Sequence, residues 1–160
     1  MNDAEKFEVL LVQIEVMKLK IAENNSVHDT MMNRIYTLLA AELAIISLVV
    51  SDILRIPAPT TIAGNIFFYG AVTFMILSGG LLLYSYRPKD NWPSPMGEHE
   101  VELMNSADTP YGAMKILYQD YRLCYKLGQN IITPIARMLS AALFLFIISV
   151  IILIVLKFGG

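Results

Sequence analysis

The chain has 160 residues, 56% of them hydrophobic, with a mean hydropathy of +0.55 and a formal net charge of −2. That apolar content is too high for an ordinary soluble domain, and the small negative charge gives no general attraction to nucleic acid or anionic lipid. Cys124 is the only cysteine, which excludes an intrachain disulfide and a thiolate metal cluster; His28 and His99 are too far apart to suggest a metal site.

In chain order, Asp3–Glu23 is expected to be an amphipathic helix inside a cytoplasmic N-terminal segment, 1–26. Phe7, Leu10, Ile14, Met17 and Ile21 recur at spacings of three and four, a coiled-coil-like seam. Such a seam suits packing on another helix of the same chain. Self-association and membrane-surface binding are the alternatives, although Lys18 and Lys20 are too few for strong binding to anionic lipid. Glu8, Gln13 and Glu15 interrupt the apolar residues, so no signal-peptide core is formed, and the first span is expected to be a retained insertion signal. Asn24–Asn25–Ser26 reads as a helix break. Ser26 and Asp29 then have the S-x-x-D form of a capping box, which predicts a new helix from about Val27.

Three apolar stretches dominate the rest: Ile35–Leu54, Ile62–Tyr84 and Met138–Leu156. Each reaches the roughly 18 residues that a helix needs to cross the hydrocarbon of a bilayer. The first lies in a predicted helix over 27–55, ended by Pro57 and Pro59, with Ala58–Thr61 as a tight outer turn. The second is predicted over 62–86, with Tyr84 and Tyr86 at the membrane interface and Pro88 as the stop. Segment 87–109 contains Pro93, Pro95 and Gly97 and an acidic run of Glu98, Glu100 and Glu102, and reads as an irregular turn. Within it Trp92 suits a lid over the helix ends, or alternatively an interface anchor. Thr109 as N-cap and Pro110 at the first helical position start a long helix predicted over 110–156, bent at Pro134 and ending in the third span. The expected fold is an all-α membrane protein: three transmembrane helices with a cytoplasmic helical module between spans two and three.

Orientation follows from lysine and arginine in the short flanks. Lys18, Lys20 and Arg34 precede span one, and Arg55 alone lies between spans one and two. Arg87, Lys89, Lys115, Arg122, Lys126 and Arg137 lie before span three, and Lys157 follows it. This bias puts the N-terminus and the insert in the cytoplasm and the C-terminus outside, in a multi-pass protein of the cell inner membrane.

At 100° per residue, Tyr111, Tyr118, Tyr121 and Tyr125 cluster on one face of the 110–132 helix, with Lys115, Arg122 and Lys126 beside them. Ile116, Leu123, Leu127 and Ile131 lie on the opposite side and are expected to be core. Tyrosines edged by cations can stack on and neutralise a planar anion, and a nucleotide suits that surface. Tyr118, Arg122, Tyr125, Lys126 and Lys115 are therefore the candidate ligand-binding residues. The competing reading makes the tyrosines a helix–helix interface and the cations a solvated edge.

Glu42 lies about two turns inside span one, where a carboxylate is costly unless protonated, paired or facing water. An ion path, an interhelical bond, and a position near the headgroups are all open. Asp52 and Arg55 are placed to pair across one turn. In span two, Gly70, Gly79 and Gly80, with Gly64 and Ser78, mark thin places for close helix packing, within one chain or between copies. Span three has only Ser140 and Ser149 as polar residues and suits lipid contact better than a pore. No Walker-type loop, GxSxG, HExxH or paired carboxylates appear, so neither an enzyme nor a cofactor is expected.

The order of elements, together with the segment YQDYRLCYKLGQNIITPIARML (118–139), resembles the small transmembrane effectors of nucleotide-signalled immunity in bacteria and archaea, those of the Pycsar system above all. In that family an Asn precedes a Lys or Arg by about two helical turns just before the last span. Asn130 and Arg137 are similarly placed here. The resemblance covers most of the chain in layout and few residues in identity. It implies a homo-oligomer in the lipid bilayer whose cytoplasmic helices bind a cyclic nucleotide, rearrange and compromise the inner membrane. From a different class, a structural or accessory subunit of a larger membrane complex, with no ligand of its own, fits the same layout; a channel or transporter comes third.

Overall fold

A computed structural model describes residues 3–53, 61–86 and 93–158. Four helices account for nearly all of them: α1 (Asp3–Ile53), α2 (Ile62–Ser85), α3 (Glu98–Asn105) and α4 (Pro110–Phe158). No strand occurs among the described residues. α1, α2 and α4 are each long and apolar enough to cross a membrane, which is compatible with a multi-pass membrane protein. The Pro57–Pro59 turn with Arg55, and Arg87, Pro88, Lys89 and Trp92, lie outside the described residues, as do the side chains of Asp52, Glu98, His99 and Glu100.

The chain forms two compact units, and α1 and α4 contribute residues to both. The first comprises Met1–Asp29 and Pro88–Thr133. Leu10 and Ile14 of the expected α1 seam are buried in it, and Phe7, Met17 and Ile21 are half-buried. The three–four spacing continues to Asn24 and His28, both buried. This corrects the expected break at Asn24–Ser26, because α1 is uninterrupted through it. Asparagine breaks helices when its side chain competes for nearby backbone groups. Here the Asn24 amide donates to the Tyr125 carbonyl at 3.4 Å, and its oxygen accepts from Gln129 Nε2 at 2.6 Å, so both ends bond across to α4.

Two further expectations fail in this unit. Segment 87–109 is not irregular throughout, since it contains α3. On α4 the buried face is Cys124, Gly128 and Ile132, whereas Leu123 and Leu127, expected in the core, are exposed. The start of α4 is as expected: Thr109 Oγ1 accepts from the Gly112 amide at 3.1 Å. Just before α3, Met96 has a left-handed φ of 66°, a costly conformation for a side chain with a Cβ. Its N–H donates to Asp120 Oδ2 of α4 at 2.7 Å, a charge-assisted bond that offsets the cost and pins the segment.

The second unit comprises Thr30–Arg87 and Pro134–Gly160. Thr61 caps α2 by accepting from the Gly64 amide at 3.2 Å. Along α2, Gly64, Ala71, Ser78 and Ser85 are buried at every seventh position, and seven residues return to nearly the same helix face. Two serine–alanine contacts join this face to α4: Ser78 Oγ is 2.9 Å from the Ala142 carbonyl, and Ser149 Oγ donates to the Ala71 carbonyl at 2.8 Å. Seven residues forward on α2 correspond to seven back on α4, so the two run antiparallel in one register. Ala71 and Ala142 are fully buried, and their small side chains let a neighbouring hydroxyl reach the main chain. Each such bond contributes about 0.6 kcal/mol, rarely above ~1.7 kcal/mol, in a membrane setting. Ile35 of α1, Leu82 and Met75 of α2 and Ile135 of α4 are buried in the same unit. Tyr36 and Tyr86 join α1 to the end of α2, with hydroxyls 2.8 Å apart and rings edge to face at 5.5 Å.

Of Gly70, Gly79 and Gly80, Gly79 alone packs closely: an added Cβ would meet Glu42 Oε2 at 3.1 Å, whereas at Gly70 and Gly80 it would meet nothing within 4 Å. Gly80→Ala should therefore leave stability within about 0.5 kcal/mol of wild type. Ala71→Leu, which overpacks the seam, should cost about 1–3 kcal/mol. Thermal unfolding of both variants in detergent checks the contrast; equal effects would contradict the assigned seam.

Candidate functional site

α4 brings the candidate ligand residues onto one side of the first unit simply by being helical. Lys115, Arg122 and Lys126 are exposed, and no ion pair among the described residues engages them. Tyr118 and Tyr125 beside them are half-buried, as are Tyr111 and Tyr121. Tyr125 lies against α1. Lys20 Nζ lies 5.6 Å from the centre of the Tyr125 ring, a cation–π contact, and Asn24 holds the carbonyl of the same residue. Lys18, bonded to Glu15 at 2.8 Å, is held above the usual lysine range by that hydrogen bond and charge; the Tyr121 phenol adds a smaller contribution.

Tyr125 therefore takes part in the α1–α4 packing that was the competing reading. The cations remain on the open side. Asn24, Gln129 and Asp120 organise this face and were not among the expected site residues. Asp120 receives the Met96 amide on one oxygen and the Cys124 thiol, at 3.8 Å, on the other.

A second polar centre lies in the other unit. Glu42 is 3% exposed, and its carboxyl is hydrogen-bonded to the Ser78 hydroxyl. Ser78 also contacts the Ala142 carbonyl, so one hydroxyl joins α1, α2 and α4. Of the alternatives open for Glu42, the geometry has the interhelical bond. Gly79, next to Ser78, leaves room for the second carboxyl oxygen. Ser149 matches Ser78 from the opposite helix. The signal that marks both serines is their place among small residues in a seven-residue repeat.

A groove of about 330 Å³ between α1 and α2 is lined by Ile46, Val49, Phe68, Val72, Met75 and Ile76, along with Tyr69, and presents only apolar surface. It has nothing to recognise an anion. Among the described residues no group of His, Cys, Asp and Glu is arranged to hold a metal ion. No family model, curated protein or solved structure matches the chain.

The Asn24–Gln129 bond is testable by a double-mutant cycle. Asn24→Ala and Gln129→Ala should each lower unfolding stability by about 1–2 kcal/mol, with a coupling of ~1 kcal/mol between them. Strict additivity would show that the two side chains do not bond.

Proposed function

We propose that this chain is a non-enzymatic, homo-oligomeric effector of the cell inner membrane. Its cytoplasmic module responds to a cyclic nucleotide, and the response perturbs the membrane in antiviral defence. The observation that carries this reading is the open face of α4. Lys115, Arg122 and Lys126 are exposed without an ion-pair partner among the described residues, beside half-buried tyrosines. Guanidinium and ammonium groups there suit phosphate, and a tyrosine ring suits a base. α4 is one uninterrupted helix from Pro110 to Phe158, so a ligand that shifts its first half acts on the apolar second half through the helix itself. In this reading the N-terminus and the module are cytoplasmic and the C-terminus is outside.

A structural or accessory subunit without a ligand is the second reading. What favours it is that Tyr125 is already engaged by Lys20 and Asn24 of α1.

Cyclic nucleotides titrated against the purified protein separate the two. The double variant Arg122→Ala, Lys126→Ala should bind at least about 100-fold more weakly, at roughly 1.5–3 kcal/mol for each lost charge-assisted contact. Membrane insertion should be unchanged. Equal binding by variant and wild type would remove the basic face from the account. A wild type with no binding, no toxicity on expression and no homo-oligomer in detergent would leave the subunit reading in its place.

A further inference from the structure

The junction at Ser78 holds a question of proton count. A serine hydroxyl carries one proton, and two groups stand within hydrogen-bond reach of Ser78 Oγ: the Glu42 carboxyl and, at 2.9 Å, the Ala142 carbonyl. A main-chain carbonyl only accepts, so the contact with Ala142 uses the hydroxyl proton. The contact with Glu42 then needs a proton from the other side.

We propose that Glu42 is a proton-binding site, occupied in this arrangement, whose carboxylic O–H donates to Ser78 Oγ while Ser78 donates to the Ala142 carbonyl. The relay runs α1 to α2 to α4, with each proton in one bond. Its ligand is a proton, and it stands independently of the nucleotide reading above.

The surroundings agree. An ionised Glu42 would take the Ser78 proton for itself. The Ala142 carbonyl would then face only the hydroxyl lone pairs, and the carboxylate would be an anion 3% exposed with no ion-pair partner among the described residues. α2, from Ile62 to Ser85, contains no charged residue, and its tyrosines, Tyr69 and Tyr84, are exposed. The basic residues that α1 and α4 contribute to this unit are Arg34, Arg137 and Lys157, all exposed, and no ion pair among the described residues engages Glu42. Tyr36 bonds instead to Tyr86. Loss of the proton therefore removes one of the two bonds at Ser78 and loosens the junction there, while Tyr36–Tyr86 and Ser149–Ala71 still tie α1 and α4 to α2. Binding and release of that proton couple the helix junction to the protonation of a single carboxyl.

Infrared spectroscopy of the purified protein at neutral pH tests this. The wild-type minus Glu42→Gln difference should contain the carbonyl stretch of a protonated carboxylic acid, above the amide band and shifted in heavy water. In Ser78→Ala the band should persist at higher frequency, because the acid loses its acceptor. Should Glu42→Gln fail to fold, wild type grown with glutamate labelled at the side-chain carboxyl carbon decides alone, since the acid band must move with the isotope. Loss of a carboxylate band pair in Glu42→Gln, or a labelled wild type with no acid band, would overturn the proposal.

Discussion

The second unit depends on one constraint: a carboxyl and three serine hydroxyls are buried among apolar helices, where each unpaired polar group is costly. Of the three, only Ser85 settles its hydroxyl on its own helix, at the Leu81 carbonyl. Ser78 and Ser149 meet it by reaching the carbonyls of Ala142 and Ala71 on the facing helix. Glu42 meets it through Ser78. Apolar packing alone leaves the sliding and rotation of such helices weakly specified, because leucine on leucine resembles leucine on lipid. Polar contacts with defined partners remove that freedom. A shift of α2 against α4 by one residue would take both hydroxyls out of reach of their interhelical carbonyls.

The same device recurs in the first unit with amide groups. Asn24 sits at a seam position of α1 and is bonded to the side chain of Gln129 and the carbonyl of Tyr125. A buried asparagine at a seam position specifies register at some cost in stability. Asp120 fastens the chain before α3 by accepting the amide of Met96. These contacts engage Asp120, Gln129 and the Tyr125 carbonyl of α4, while Lys115, Arg122 and Lys126 are exposed. That division of labour is why the basic edge, and not the tyrosine rings alone, carries the proposed function.

The three apolar helices were legible because hydropathy over some twenty residues needs no knowledge of partners. The cap at Thr109 was equally plain, being a local bond within four residues of chain. Contacts between helices were not legible in this way. Asn24 looked like a breaker because its bonding partner Gln129 is 105 residues away, and without that partner its side chain turns on its own backbone. Leu123 and Leu127 looked like core, yet the buried stripe of α4 runs through Cys124, Gly128 and Ile132, chosen by the helix it meets. The glycines drew attention in α2, while the packing period was carried by small residues of several types, of which only Gly64 is a glycine. Glu42 stood out as costly from its position alone, but nothing in its spacing named Ser78.

The central claim is that Glu42 is held by Ser78 inside a three-helix junction, shielded from water. Solid-state NMR of the protein in lipid bilayers, with labelled glutamate and serine, measures it directly. The account predicts a through-space correlation between the side-chain carboxyl carbon of Glu42 and the Cβ of Ser78, with no transfer from mobile water. A Glu42 signal correlated with water and not with Ser78 would contradict it.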